Sequence, residues 1–381
     1  MKIAVVAPSF IPSDSANSIQ VMKVCQALKQ CGVTVKLWVP LADKTKPVHD
    51  WDLLRSIYGL EEPFEIEWVS ENLQFRRYDF AWKATRAARK WGAEVLYTWM
   101  VQAALLGSWM GLLPVLELHM LPSGLLGPFL LRAFTNNKKT KLLLPITQAL
   151  QGRLDYDFHI RFPENETLVA PMGSEPERYR HFGDSEKLRG ELGLPDDLTA
   201  VYTGHLYEGR GMEILTALAN AFPAVSFVWV GGRDKDVKVW SERIRAMAIS
   251  NITLTGFVHH ALIPAYQSAA DILLMPYQKN VGISGVGDTA DICSPMKLFE
   301  YLSAGRVIVS SDLPVFHEVL NDGNAVFCPP EAEDAWIQAF GSLITDEERR
   351  MRLAEQARKD AEKYSWRNRA RRVLEKLSQL L

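Results

Sequence analysis

Cysteine is scarce in this chain of 381 residues: Cys25, Cys31, Cys293 and Cys328 are the full set, and no two form a C-x-x-C pair. That argues against a disulfide framework or an ordinary zinc site, and the four read as reduced packing residues. Long apolar runs are missing as well. No segment offers the roughly 18 uninterrupted apolar residues of a membrane helix, and the opening KIAVVAP is too short an apolar run for a signal peptide, so a cytoplasmic protein is expected. Neither sign of charge dominates, with 43 Lys and Arg against 45 Asp and Glu, which leaves no global footprint for nucleic acid. The fingerprint G-x-G-x-x-G is absent from the first loop, which weakens a nicotinamide reading.

What is present is enough chain for two cores, because single cores stop growing by about 300 residues. Short β-rich runs alternate with helical patterns: KIAVVAP, VTVKLWVP, FEIEWVS, AEVLYTW, LPVLELH, KLLLPI and TLVAP. Buried parallel strands read this way. Pro163, Pro171 and Pro176 then punctuate the chain, and a second series follows with LTAVYTG, VSFVWVGG, NITLTGF, ILLMPY, RVIVSSD and NAVFCPP. The pattern predicts an α/β fold of two Rossmann-like, doubly wound domains, 1–174 and 175–364, followed by a last helix over 365–381 that Ser365 can cap.

In the first domain, the small polar loop after the opening strand leads into a helix with apolar positions at Ile19, Met22, Cys25 and Leu28. Asn17 and Ser18 either cap that helix or line a ligand site. Glu117 and His119 end a strand on one side, two residues apart. His119 can serve a ligand hydroxyl or satisfy a buried backbone group. LQFRRYDFAWKATRAARKW mixes six basic residues with aromatics and one acid, Asp79. It suits an anionic membrane interface or a solvated face with its aromatics turned inward. LPSGLLGPFLLRAFTNNKKTK invites the same two readings.

In the second domain, VYTGHLYEGRGMEIL places Gly204, Gly209 and Gly211 where backbone can approach a ligand, with Arg210 just before a helix start. A guanidinium beside free helix amides suits phosphate. In DICSPMKLFEYLSAG, Ser294 is a good N-cap and Pro295 a good first helical residue. Lys297 then falls in the first turn, where it opposes the helix dipole unless something negative offsets it. Glu300, a turn deeper, can accept from ligand hydroxyls or pair with Lys297.

These residues carry a family resemblance. GHLYEGRG is similar to the G-R-L-x-x-x-K-G element of retaining GT-B glycosyltransferases of glycosyltransferase family 4, and SPMKLFEYLSAGRVIVSSDLPVFHEVL resembles its divergent S-P-x-K-x-F-E-Y subgroup. NITLTGFVHHALIPAYQSAADILLMPY, ITQAL, APMGSEPERY and YSW fall in the family's order. The resemblance spans most of the chain and is strongest in the second domain. It implies a GT-B architecture, two domains facing across a cleft, with the last helix returning to the N-terminal domain, which would take the acceptor.

The same resemblance implies that Arg210 binds the donor diphosphate, with His205 and Gly204 beside it. Glu300 would hold ribose hydroxyls. Ser294, Pro295, Met296, Lys297 and Leu298 would approach the donor sugar and phosphates, while Gly256, Phe257 and Val258 would flank the base. His119 matches the family's active-site histidine, which contacts the donor sugar. Three departures stand out. Ile292 replaces the first glutamate of E-x7-E, so Asp288 or Asp291 would have to supply its sugar contact. SDSANS replaces a glycine pair, leaving Asn17 and Ser18 nearest to the donor phosphate or the acceptor. PMGSE stands where P-D-G-V-D is common.

The expected activity is transfer of a sugar from a nucleoside diphosphate sugar to a hydroxyl acceptor, a glycan, lipid-linked saccharide or small molecule, with retention. No cofactor or metal is expected, since the D-x-D spellings at Asp155 and Asp234 lack context. The alternatives are a non-hydrolysing sugar-nucleotide epimerase and a catalytically silent protein that binds a nucleotide sugar. Peripheral contact at the inner membrane face follows if the basic aromatic segments meet lipid.

Overall fold

The structure, a computed structural model, describes residues 1–41, 46–279, 282–283, 286–288 and 290–381, with the backbone alone at 73, 282–283 and 286–288. The chain divides into two compact units: Met1–Met172 with Trp366–Leu381, and Gly173–Ser365.

Unit 1 is built on six parallel strands: β1 (Lys2–Val6), β2 (Thr34–Leu41), β3 (Glu65–Ser70), β4 (Val95–Thr98), β5 (Leu113–Leu118) and β6 (Leu142–Pro145). Their order is β3-β2-β1-β4-β5-β6. Strands β4, β5 and β6 are buried along their whole length, which is why they read as continuous apolar runs rather than alternating ones. Each fully buried Val, Leu or Ile contributes about 1.5–3 kcal/mol. Edge strand β3 is only half-buried.

The helix Ala16–Gln30 follows β1 and is buried on nearly every side, polar residues included. Lys23 donates to the Gly59 carbonyl at 2.9 Å, and Gln26 accepts from the Glu61 amide at 2.6 Å. The helix Trp366–Leu380 packs on it, which turns what would be a solvated face into core.

Unit 2 repeats the plan with β7 (Thr199–Thr203), β8 (Ser226–Val230), β9 (Ile252–Gly256), β10 (Ile272–Met275), β13 (Val307–Ser311) and β14 (Val326–Cys328) in the order β14-β13-β10-β7-β8-β9. A short antiparallel pair, β11 (Gly282–Ile283) and β12 (Val286–Asp288), lies outside that sheet and has no counterpart in the expected strands. The two sheets have one topology. In each the first strand lies between the second and fourth, so strand order reverses there, and the crevice beyond the carboxyl ends is where open α/β sheets take ligands.

One expected strand does not form. TLVAP runs beside β6 with an isolated bridge, Leu143 to Thr167, and two backbone bonds, Leu168 N–H to Leu143 and Ala170 N–H to Pro145. Pro171, without a donor, ends the pairing there.

Candidate functional site

At the reversal point of unit 2, β7 ends in Tyr202 and Thr203 and β10 leads into Pro276 and Tyr277. Two cations gather on these tyrosines. Lys297 Nζ lies 4.0 Å from the centre of the Tyr202 ring and 5.3 Å from that of Tyr277. The Arg210 guanidinium lies 4.7 Å from the Tyr277 ring and 4.9 Å from that of Tyr207, whose hydroxyl it also bonds. Lys297 Nζ and Arg210 Nε are shielded from solvent and have no hydrogen-bond partner among the described residues. Burial first, then the Arg210 charge, hold the Lys297 ammonium well below the ordinary lysine range, with Glu300 opposing them. Two shielded donors that share the Tyr277 ring make a region that an anion would relieve.

The glycines here serve this packing. Gly211 sits at φ +72, and a Cβ there would come within 1.8 Å of the Pro276 carbonyl oxygen. At Gly204, φ +142, a Cβ would come within 2.8 Å of Lys297 Nζ. Both positions give room to the chain itself, which refines the expectation that they give room to a ligand. Gly211 is the N-cap of the helix Met212–Ala221, placing Arg210 directly before the helix start. His205 stacks on Tyr207 with centroids 5.5 Å apart.

The second helix starts one residue later than expected. It spans Met296–Ala304 with Pro295 as its N-cap, because Pro295 holds an extended backbone at φ -72, ψ 132. Ser294 is buried ahead of the cap, and Lys297 still lies in the first turn. Leu298 is buried at 2% exposure. Glu300 makes no ion pair with Lys297 within the described contacts. His260 Nε2 lies 2.8 Å from Glu300 Oε1, and Gln267 Nε2 donates to Oε2 at 3.1 Å. Although burial alone would raise its pKa, these partners, His260 foremost, hold the Glu300 carboxyl below the usual carboxylate range. Gln267 is itself anchored by Tyr179, whose hydroxyl donates to it at 2.6 Å. Gly256 ends β9, and Phe257 is half exposed with His259 edge-on at 5.2 Å; Val258 lies between them.

Ile292, the departure in E-x7-E, is buried at 3% exposure. Asp291 is exposed two residues before Cys293, and the Asp288 side chain lies outside the described residues. Among the described residues no three metal-ligating side chains cluster.

Unit 1 has its own polar centre beyond β4 and β5. Glu117 is buried, and its Oε1 lies 2.8 Å from His119 Nε2 and 2.8 Å from an Arg369 nitrogen. Gln20 donates to the same oxygen, and the Tyr97 hydroxyl donates to Oε2. Trp99 Nε1 donates toward His119 Nε2 at 3.2 Å. Burial would raise the Glu117 pKa, but Arg369, then His119 and Tyr97, bring it down to about 2. The cap of the following helix is Ser15, not Asn17 or Ser18: the Ser15 hydroxyl accepts from Ser18 N–H at 3.2 Å. Ser18 is fully buried and its hydroxyl donates to the Ser13 and Ser15 carbonyls, both at 2.8 Å, while Asn17 is exposed.

Sequence reasoning missed Gln20, Trp99 and Arg369 in unit 1 and the tyrosines, His260 and Gln267 in unit 2. The repeated tyrosine at strand ends, in AVYTG and LLMPY, was the available signal.

Comparison with known proteins fits this geometry. Residues 197–346 match the family model described as glycosyl transferases group 1, all within unit 2. A phosphatidyl-myo-inositol mannosyltransferase of Mycolicibacterium smegmatis is 27% identical over 177 residues, covering 44% of this chain and 42% of that protein. The chain thus spans less than half the length of that relative. HepE of Anabaena, solved in complex with UDP, superimposes with a TM-score of 0.75 over 100% of both chains at 18% identity. Sucrose-phosphate synthase of Thermosynechococcus elongatus gives 0.76 at 16% identity, over 100% of this chain and 98% of that one. The two parallel six-stranded units thus have the GT-B fold of these solved proteins, and the match to the glycosyl transferases group 1 model falls in unit 2.

Proposed function

We propose that the protein is a glycosyltransferase that moves a sugar from a nucleoside diphosphate sugar to a hydroxyl acceptor, with retention, in the manner of glycosyltransferase family 4. The observation that carries this reading is the pair of buried nitrogens, Lys297 Nζ and Arg210 Nε, that have no hydrogen-bond partner among the described residues at the reversal point of unit 2. A leaving diphosphate gains negative charge as the glycosidic bond breaks, and preorganised positive charge lowers that barrier. Arg210 and Lys297 supply it, together with the helix starts at Met212 and Met296. Glu300, held ionised by His260 and Gln267, keeps lone pairs for the ribose hydroxyls. Phe257 offers a half-exposed ring for the base, and His119 contacts the donor sugar. The departing diphosphate takes the proton of the acceptor hydroxyl on the face it leaves, and the acceptor oxygen forms the new bond to the anomeric carbon there.

The test is incubation with a panel of nucleoside diphosphate sugars, with and without simple hydroxyl acceptors, and detection of released nucleoside diphosphate. Release supports transfer. Epimerised sugar without release supports the epimerase, and binding without either supports the silent protein, a reading favoured by buried Ile292 at a position the family gives to a carboxylate.

For the acceptor we propose a lipid-linked hydroxyl, reached by peripheral contact of unit 1. The apolar side chains support this: Leu125 is 96% exposed, Phe129 67%, and Trp82 47% with Arg86 over its ring. Phe80 of the same basic segment, by contrast, is fully buried. Among the described residues no helix is long and apolar enough to cross a membrane.

A further inference from the structure

Arg369, on the helix Trp366–Leu380, is buried, and four of its five donors are engaged. Nε donates to the Pro171 carbonyl at 2.8 Å, Nη2 to the Ala170 carbonyl at 3.1 Å, and Nη1 faces the Tyr97 hydroxyl at 3.1 Å. Nη2 also lies 2.8 Å from Glu117 Oε1. The guanidinium is therefore fixed in plane and position, and it neutralises a carboxylate that is nearly without solvent. That carboxylate then meets the imidazole of His119.

His119 Nε2 faces opposed demands. Glu117 Oε1 at 2.8 Å is an acceptor, while the indole N–H of Trp99 at 3.2 Å and the Gln20 amide nitrogen at 3.1 Å are donors. A ring nitrogen can answer only one, and a short bond to an ionised oxygen in a dry site is the stronger. Nε2 thus carries the proton and donates to Glu117, which leaves Nδ1 as the bare nitrogen of the neutral ring. The charged and titratable groups in this cluster are Glu117 on β5, Tyr97 on β4 and Arg369 on the last helix; Gln20 and Trp99 are uncharged.

We propose that Arg369 is a positioning residue for His119: acting through Glu117, it holds the carboxylate that fixes the tautomer and orientation of the imidazole. Without Arg369, the Glu117 carboxylate loses its fixed partner and no longer holds one tautomer of His119. The last helix thereby becomes part of the apparatus that sets the state of a residue more than 240 positions earlier in the chain. The consequence for catalysis rests on the proposed role of His119; the tautomer itself does not.

Nitrogen-15 NMR of the imidazole in the full-length protein, with His119 assigned by its loss in His119→Gln, tests this directly. The wild-type ring is expected to be protonated at Nε2 and bare at Nδ1 above its titration. In Arg369→Met the ring is expected to lose its single Nε2-protonated state, seen as an Nδ1 signal that leaves the bare-nitrogen position, and Arg369→Lys, which keeps the charge without the fork, moves that signal less. An Nδ1-protonated wild-type ring overturns the proposal, as does an Nδ1 signal in folded Arg369→Met that stays where it is in wild type. If Arg369→Met does not fold, the wild-type tautomer and Arg369→Lys decide the matter. In an activity assay Arg369→Met lowers kcat about tenfold or more, but adds almost nothing in a His119→Ala background; an equal loss in both backgrounds marks a merely structural role and overturns the proposal. The expected NMR result with no nucleoside diphosphate released from any sugar leaves the positioning intact and removes the glycosyltransferase reading.

Discussion

The two polar centres of this protein are built on opposite principles. In unit 1, Glu117 and Arg369 are paired with each other and bonded by Tyr97, Gln20, His119 and two backbone carbonyls. In unit 2, Lys297 and Arg210 share aromatic walls, and each keeps a buried nitrogen without a partner among the described residues. A cluster whose charges are paired fixes geometry; one whose cationic donors lack a partner among the described residues carries a standing cost that a ligand of the right charge removes. The same sheet topology thus carries the proposed orienting device on one unit and the proposed anion receptor on the other.

Breaking one partner in each centre should therefore act with opposite signs. Glu117→Ala leaves Arg369 buried and unpaired, and is expected to destabilise unit 1 by about 3–5 kcal/mol, read by chemical denaturation. A related loss appears on acidification. The Glu117 pKa falls from an ordinary 4.5 to about 2 on folding, so its stabilisation is complete above 4.5 and disappears as pH drops toward 2. It amounts to about 3 kcal/mol, and Glu117→Gln should flatten that limb of the pH–stability curve.

Lys297→Met should do the reverse in unit 2. It removes a buried amine of similar volume, and melting is expected to rise by about 2–4 °C. The sign also follows from linkage. Folding depresses the Lys297 pKa, so the unfolded chain binds more protons between the depressed value and the ordinary 10.5. Wild-type stability contributed by this group therefore rises with pH through that window, and the variant loses the rise. A Lys297→Met protein that melts lower than wild type would remove the contrast between the centres.

The smallest effect concerns the surface. Replacing Leu125 and Phe129 by serine should leave the melting temperature within about 1 °C, since both side chains are largely exposed. Flotation with anionic vesicles should weaken in the same variant; equal recovery would remove the lipid proposal.

The sheets were legible because buried parallel strands write themselves as apolar runs, and the failure at TLVAP came from a segment with the composition of a strand but only two ladder bonds. The pairing of Arg210 with Lys297 could be anticipated because each precedes or opens a helix, a position where a cation has no local reason to be. The remaining partners could not. Arg369 looks like one of many basic residues in an amphipathic helix, and its burial depends on where that helix packs. Gln20 sits inside an apolar helix pattern, and only the fold brings it to Glu117 across 97 positions. Ser15 rather than Asn17 caps because several small polar residues compete, and the backbone decides among them.

The central claim is that Lys297 and Arg210 form a receptor for a diphosphate, and titration calorimetry of UDP against wild type and Lys297→Met tests it most directly. We expect wild type to bind with proton uptake, visible as an enthalpy that varies with the ionisation heat of the buffer, and with affinity that falls as pH rises. The variant should bind about tenfold or more weakly, as expected for loss of a charged hydrogen bond worth about 1.5–3 kcal/mol. UDP binding of equal strength in both proteins, with no proton taken up, would contradict the account.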